Sequence, residues 1–531
     1  WFFGHPEVYI IFLPAAGLVS MMIPTMAQTP LVGYRLIVVA LIATGFFSFG
    51  LWVHHMFTTG IPGLSLAFFS AASMAVAIPS GIQVFSWIAT MAAGRKRFRL
   101  NVPSLFILGF LFIFTLGGLT GVMVAVVPFD FQAHDSYFVV AHFHYVLVGG
   151  MVFPLFATFY YWAPIVSRTM LSERLGTWAF WLMFIGFNVT FFPMHITGLA
   201  GMPRRVWTYP SNLGWDVLNM ISTVGAFTIA AGVLVFVIDL IRNFRIGNGG
   251  PENPWGAGTL EFLPNDVYAM RSIPHVTSRE PVWDNPDLPR EVDEGLHYLP
   301  NAPTGGRETL VTSAVDAEPQ YVLQMPGPGW SQLAAAAMTA AFFLLLTIKQ
   351  VEIALACGVL AIAACIFWTW QLDKPGIGKV DIGGGIRVPT YVTGPLLHSW
   401  WAMVVLMLVS ASLYVSYIFS YLYLWTVSPD VWAPNGSPAP PSLLFPLGSA
   451  LLFVGGAAIL FWAGRIIPPE GRRSIAVIAA MAMAALAMAA GVGLEIWGHT
   501  LTGLDPTASS YGAMVYMAPV LTGQAGAAAI I

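Results

Sequence analysis

Long apolar runs separated by short polar breaks dominate the chain. A membrane-crossing helix needs about 20 mostly apolar residues. That measure picks out spans near 7–26, 35–56, 64–93, 103–127, 136–163, 175–199 and 216–241. A second group lies near 331–349, 351–371, 398–426, 442–464, 474–499 and 507–531. Residues 243–329 contain no run of span length and are rich in Pro, Gly and acids, with 12 Asp or Glu against 5 Lys or Arg. The pattern predicts an all-α, polytopic transmembrane helical bundle of about 13 spans in two units. The first unit covers 1–245, a polar cytoplasmic linker covers 246–329, and the second unit covers 330–531.

Loop charges give the expected orientation. Arg35, the cluster Arg95, Lys96, Arg97 and Arg99, then Arg168 and Arg174, then Arg242 and Arg245 fall in alternate loops. Lys374, Lys379, Arg465, Arg472 and Arg473 continue the same side, which the positive-inside rule makes cytoplasmic. Arg204 and Arg205 break the trend on the outer side, and such a pair wants an anionic partner.

Composition sharpens the class. Charged residues make up 9% of the 531 residues, against roughly 25% in soluble proteins, and hydrophobic residues make up 57%. A net charge of −3 with no basic arm excludes a nucleic-acid footprint. Cys357 and Cys365 alone exclude a disulfide framework and a thiolate zinc module. The chain begins at Trp1 and stops inside an apolar run at Ile531, the expected look of a piece of a longer polypeptide.

Histidines carry the candidate chemistry. Six of the eleven, His5, His54, His55, His134, His142 and His144, fall in the apolar sequence before position 145. Polar groups at membrane depth are costly and usually functional. The alternative for any one of them is a hydrogen-bonded core residue. Imidazole suits copper and iron, and His54-His55 with His5 offer three nitrogens to a copper or zinc ion. His142 and His144 are about 200° apart on a helix, so they leave opposite faces and can serve two metal centres flanking one helix, with room for two flat porphyrins. Tyr9 lies four residues after His5, on the same helix face, where a phenol can donate a proton and an electron. Glu7 projects elsewhere; desolvated at membrane depth, it is expected to carry a proton, or else to hold a neighbouring helix. Asp130, His134, Asp135, Arg204 and Arg205 gather near outer span ends. His134 and Asp135 suit a hard divalent ion and the arginines suit carboxylates, with a plain salt-bridge patch as the alternative.

The run WFFGHPEVY from Trp1 to Tyr9, His54-His55, HDSYFVVAHFHY from His134 to Tyr145, and GLAGMPRR from Gly198 to Arg205 resemble subunit I of the haem–copper terminal oxidases. The resemblance covers about residues 1–245 and implies oxygen reduction to water coupled to proton movement. It implies that His5, His54 and His55 hold the active-site copper and that Tyr9 is cross-linked to His5. His142 then binds the high-spin haem iron and His144 the low-spin haem iron, with the haems expected to be A-type. Glu7 becomes the inner carboxyl of a proton path, His134 and Asp135 join a magnesium site, and Asp130, Arg204 and Arg205 the haem-propionate region. The second low-spin ligand of the family lies upstream of this sequence. Implied partners are the lipid membrane, a subunit II carrying its own copper site, and cytochrome c, in a bacterial inner membrane.

The second half more loosely resembles subunit III through Trp400-Trp401-Ala402-Met403, FSYLYLW from Phe419 to Trp425, and DPTASSYGAMVY from Asp505 to Tyr516. Three departures stand out. Gln83 in IPSGIQVFSW occupies the place of a lysine in a second proton path, residues 60–69 lack the usual charged and hydroxylated groups, and Ser410 stands about where an acid is usual. The competing readings are a nitric oxide reductase, against which Tyr9 argues, a quinol-fed oxidase, and a transporter, which leaves the histidine pattern unexplained.

Overall fold

The computed structural model describes residues 4–167, 169–247, 250–263, 276–297, 308–313, 316, 318–324, 329–372, 378–390, 392, 394–427, 429–433, 437–466 and 474–530. Trp1, Phe2, Phe3, Arg168, Lys374, Arg472, Arg473 and parts of the polar stretch, all named above, lie outside the described residues. Two compact units form, Trp1–Thr309 and Leu310–Ile531.

The first unit is built from α1 (Gly4–Ala27), α2 (Tyr34–Leu51), α3 (Gly63–Ala75), α4 (Ala77–Ala93) and α5 (Val102–Ala125). It continues through the short α6 (Val127–Ala133), then α7 (Tyr137–Leu147), α8 (Phe153–Val166), α9 (Glu173–Leu199) and α10 (Asp216–Asn243). Residues Trp52–Thr59 prolong α2 as a tight 3-10 turn, and a π-turn at Val148–Val152 joins α7 to α8. Polar residues at the breaks start the helices by accepting from free backbone N–H groups. Asn101 Oδ1 accepts from Ser104 N at 3.1 Å, Ser136 Oγ from Phe138 N at 3.2 Å, and Ser172 Oγ from Leu175 N at 3.3 Å.

Aromatic side chains fill the centre of this unit: Trp87, Phe106, Phe110, Phe153, Tyr161 and Phe187 are fully buried. Large apolar residues such as Ile10, Phe46, Leu64 and Phe227 face outward instead. An apolar exterior around an aromatic interior is the arrangement for a lipid solvent rather than water. Among the described residues, eleven helices are long and apolar enough to cross a membrane, seven in this unit and four in the next.

The polar stretch after α10 does not simply trail away. Trp255 is buried against Tyr161, with parallel rings 6.1 Å apart, and its Nε1–H donates to the Tyr161 carbonyl at 2.7 Å. Gln28 Nε2 donates to the carbonyls of Trp255 and Gly256, both at 3.1 Å. Two short helices follow, α11 (Pro281–Asp284) and α12 (Leu288–Asp293), and Trp283 Nε1 donates back to the Gly256 carbonyl at 2.8 Å. Scattered aromatic anchors thus dock a segment that lacks any continuous apolar run.

The second unit contains α13 (Ser331–Thr347), α14 (Val351–Leu372), α15 (His398–Val427), the short α16 (Pro429–Trp432), α17 (Leu444–Arg465), α18 (Ile475–Leu501) and α19 (Ser510–Ile530). Helix α13 packs on α14, α17 on α18, and both α15 and α18 on α19. The expected span at 331–349 is the 17-residue α13, whose length of about 26 Å falls short of the ~30 Å hydrocarbon core. A hairpin of β1 (Lys379–Asp381) and β2 (Arg387–Pro389) pairs antiparallel with Val380 opposite Val388. Ser410, half-buried on α15, has a shielded hydroxyl without a partner among the described residues.

Candidate metal centre

Three histidines distant in sequence meet in the first unit. His5 comes from the first turn of α1, while His54 and His55 come from the tight turn that ends α2. One ring nitrogen from each lies within 4.8 Å of the others. His5 Nδ1 is 3.2 Å from His55 Nε2, which is also 3.2 Å from His54 Nε2. A metal with bonds of about 2.0 Å in tetrahedral geometry spaces its ligand atoms about 3.3 Å apart, so these contacts match edges of a coordination polyhedron. The donor set is all imidazole, and His5 is only 6% exposed.

Hydrogen bonding assigns the ring protons. Ser73 Oγ gives its proton to the Phe69 carbonyl at 2.6 Å, so at 2.8 Å from His54 Nδ1 it accepts. His54 therefore carries its proton on Nδ1 and turns a bare Nε2 towards the cluster. On the other edge of His5, Nε2 is buried with no hydrogen-bond partner among the described residues. The Tyr9 ring stands beside His5 with centroids 4.8 Å apart and planes at 65°. The shared face predicted by their four-residue spacing is present.

Helix α7 brings two more histidines. His142 Nδ1 donates to the Gly117 carbonyl of α5 at 3.1 Å, and Thr120 Oγ1 lies 3.1 Å from the same nitrogen. A carbonyl can only accept, so His142 Nε2 is left unprotonated. Close packing makes this contact possible: a Cβ at Gly117 would sit 2.8 Å from the Tyr145 backbone carbon. His142 thus lies on the α5 side of α7, near enough to His54 and His55 for their charges to interact. His144 leaves the other side of α7, where its ring stacks on Phe191 of α9 at 4.1 Å and 17°. Its Nδ1 donates to the Val140 carbonyl at 2.7 Å, again leaving Nε2 bare.

Glu7 is exposed on α1, pointing away from the inward-facing His5 as their two-residue spacing predicts.

At one end of the bundle the acids and bases pair off. His134 Nδ1 contacts Asp130 Oδ2 at 3.1 Å. Asp135 is instead taken by the arginines, with Arg204 Nε at 2.8 Å from Oδ1 and Arg205 Nη1 at 3.7 Å from Oδ2. The Arg204 contact is ionic, since its Nε–H makes no hydrogen bond. Arg204 N–H does donate to the Asp135 carbonyl at 2.8 Å, and Tyr137 N–H donates to the Met202 carbonyl at 2.9 Å. Asp135 and Arg205 both adopt left-handed backbone, with φ of 51° and 68°. Burial pushes the Asp130 carboxyl up from its ordinary range and Asp135 adds to this, while His134 pulls it down. The anionic partner that the arginine pair required is thus Asp135, and the patch is closed by its own ion pairs.

His195 was not singled out in the sequence. It lies on α9 with its ring 5.1 Å from Phe138 and 5.3 Å from Tyr145, and its buried Nε2 has no partner among the described residues. Its signal was a lone histidine inside a 27-residue apolar helix. Gln83 is fully buried on α4, with Nε2 3.3 Å from Thr44 Oγ1 and Oε1 without a partner among the described residues.

This geometry can be set against known proteins. Residues 1–228 match the family of the Cytochrome C and Quinol oxidase polypeptide I. Cytochrome c oxidase subunit 1 of Alkalihalophilus pseudofirmus is 45% identical over 287 residues, covering 53% of this chain and 46% of that protein. Quinol oxidase subunit 1 of Bacillus subtilis is 43% identical over 286 residues, covering 53% and 44%. A putative cytochrome c oxidase subunit 1-beta of Streptomyces coelicolor is 44% identical over 297 residues, covering 55% and 51%. The chain spans about half the length of the curated relatives it matches. A solved haem–copper terminal oxidase dimer overlaps 45% of this chain and 48% of its own at 25% identity, with a TM-score of 0.42.

Proposed function

We propose that the first unit supplies the oxygen-reducing centre of a respiratory haem–copper oxidase, fed by cytochrome c. The reaction joins one dioxygen, four electrons and four protons into two waters and is coupled to proton translocation. The observation that carries this reading is the set of three imidazole nitrogens spaced for one metal. When bound, a copper ion and two haem irons would supply electron delivery to dioxygen.

His5, His54 and His55 would hold the copper, His142 the high-spin iron and His144 the low-spin iron. The donor set fits, because His54, His142 and His144 each have Nδ1–H engaged and Nε2 bare. Tyr9 holds a proton on its phenol next to His5, and its covalent link to His5 Nε2 would explain that buried, unpartnered nitrogen. Joining the two rings breaks an imidazole N–H and a phenol ring C–H and releases two protons and two electrons, which dioxygen would accept, so the linked peptides would weigh two hydrogens less than their sum. Glu7 would deliver protons from the opposite face of α1. His134 and Asp135 would contribute to a magnesium site, and Asp130, Arg204 and Arg205 would lie near haem propionates, which would exchange some of the ion pairs described above.

We further propose A-type haems, a separate copper-bearing subunit II, a subunit III-like role for the second unit, and a bacterial inner membrane, in keeping with the organisms of the relatives. Quinol is the alternative donor, since a relative named quinol oxidase is nearly as similar as one named cytochrome c oxidase. Membranes expressing the complete gene test the central reading. Reduced-minus-oxidised spectra should show two haems, with carbon monoxide perturbing only one, and no haem signal would overturn it.

A further inference from the structure

The second unit contains an ionisable pair with no part in the chemistry above. Glu495 and His499 lie one turn apart on the same face of α18, one of the eleven apolar helices. The pair sits at the end of the helix hairpin away from Arg465, with Glu495 about 9 Å along the axis from the helix end at Leu501. Ser449 Oγ of α17 donates to Glu495 Oε2 at 3.2 Å. His499 is buried at 6% exposure, and its shielded Nδ1 has no hydrogen-bond partner among the described residues.

The surrounding helices supply no countercharge. Apart from the pair itself, α18 carries no charged side chain; α17 carries only Arg465 at its far end, and α19 carries none. Helix α15, packed against α19, contributes the Tyr417 phenol, which feels the Glu495 charge, and its one histidine is at its first position. The Tyr516 ring of α19 stands 5.5 Å from His499, but its hydroxyl is committed to the Leu504 carbonyl at 3.0 Å. Both phenols are neutral at physiological pH.

A lone carboxylate in such a setting is expensive, and so is a lone imidazolium. With one proton, the pair is net neutral either way, as carboxylic acid beside neutral imidazole or as carboxylate beside imidazolium. Removing that proton leaves an unpaired carboxylate, and adding a second leaves an unpaired imidazolium. We propose that Glu495 and His499 form a proton-binding site inside the membrane span of the second unit, the two holding one proton on either the carboxyl or the imidazole, with Ser449 orienting the carboxyl. This inference rests on the helical membrane fold and does not depend on the haem–copper reading.

Infrared difference spectra of the purified complex containing the full chain, recorded across pH steps, test it. The expected result is a protonated-carboxyl band that disappears in Glu495→Gln and whose titration midpoint moves by about one pH unit or more in His499→Gln, as coupled sites require. No Glu495-dependent band, or a midpoint unchanged in His499→Gln, overturns the proposal. Should Glu495→Gln fail to assemble, Ser449→Ala keeps both titrating groups. Loss of its hydrogen bond should shift the frequency of the band, and an unmoved band overturns the assignment.

Discussion

Ser73→Ala isolates the contact that orients His54 without touching a proposed ligand. In the native structure the Ser73 hydroxyl donates to Phe69 and accepts from His54 Nδ1–H at 2.8 Å. The substitution leaves that N–H unpaired in a buried site. The imidazole must then either bear the lost hydrogen bond, about 1–1.5 kcal/mol, or move its proton to Nε2 and lose the lone pair meant for metal. Each 1.4 kcal/mol is tenfold in affinity, and outer-shell partners of metal-bound histidines are worth about 10- to 100-fold. Copper affinity is therefore expected to fall by about tenfold or more. The assay is copper content per haem in membranes of the complete oxidase after equilibration with a graded chelator series. Haem content should be unchanged, because His142 and His144 have separate partners on Gly117 and Val140. Ser73→Thr keeps the acceptor and should behave as wild type. If Ser73→Ala releases copper at the same chelator strength as wild type, the tautomer argument for His54 fails.

Asp239, fully buried on α10, accepts from Tyr160 Oη and Ser172 N, both at 3.0 Å, and from Asn243 Nδ2 at 2.7 Å. Asp239→Ala strands three donors and should cost about 3 kcal/mol, against about 1–2 for Tyr160→Phe, measured as loss of thermal or denaturant resistance in detergent. Gln83→Lys should speed proton uptake during reduction if the neutral amide weakens that path, and unchanged stopped-flow kinetics would remove the idea. In α12, the hydrogen bond from His297 at 2.8 Å holds the Glu291 carboxyl below its usual range, with Asn285 assisting. A lowered folded-state pKa gives stability that is present above the unfolded value of about 4.3 and lost as pH falls through the folded one. Proteolytic cleavage around 285–297 should accordingly rise below about pH 4, and Glu291→Gln should show the raised cleavage at neutral pH as well.

The membrane helices were legible because bilayer thickness imposes one length and one composition on every span. The expected spans 103–127 and 216–241 meet helices Val102–Ala125 and Asp216–Asn243 almost residue for residue. The opposite faces of His142 and His144 were equally legible, since they follow from helical pitch alone. Contacts across helices were not. Adjacency of His134 and Asp135 in the sequence did not show their partners from elsewhere: His134 contacts Asp130, and Asp135 pairs with Arg204 across the chain. Trp255 looked like linker sequence because a single aromatic residue among Pro, Gly and acids has no periodicity. Its role depends on a Tyr161 carbonyl 94 positions away.

The histidine partners carry one further regularity. At His54, His142 and His144 the Nδ1 proton is held by Ser73, Gly117 and Val140, and Nε2 is left as the free donor. His5 is arranged the other way, with Nδ1 towards the cluster and Nε2 buried on its other edge. A ring placed on the first turn of α1 and meant only to bind metal could have used either nitrogen. Turning Nδ1 to the cluster leaves Nε2 out of it, and the Tyr9 ring stands beside the same imidazole. On the proposed function, this reversed orientation of His5 is what would separate a plain three-histidine metal site from one that also keeps a phenol beside a ligand ring.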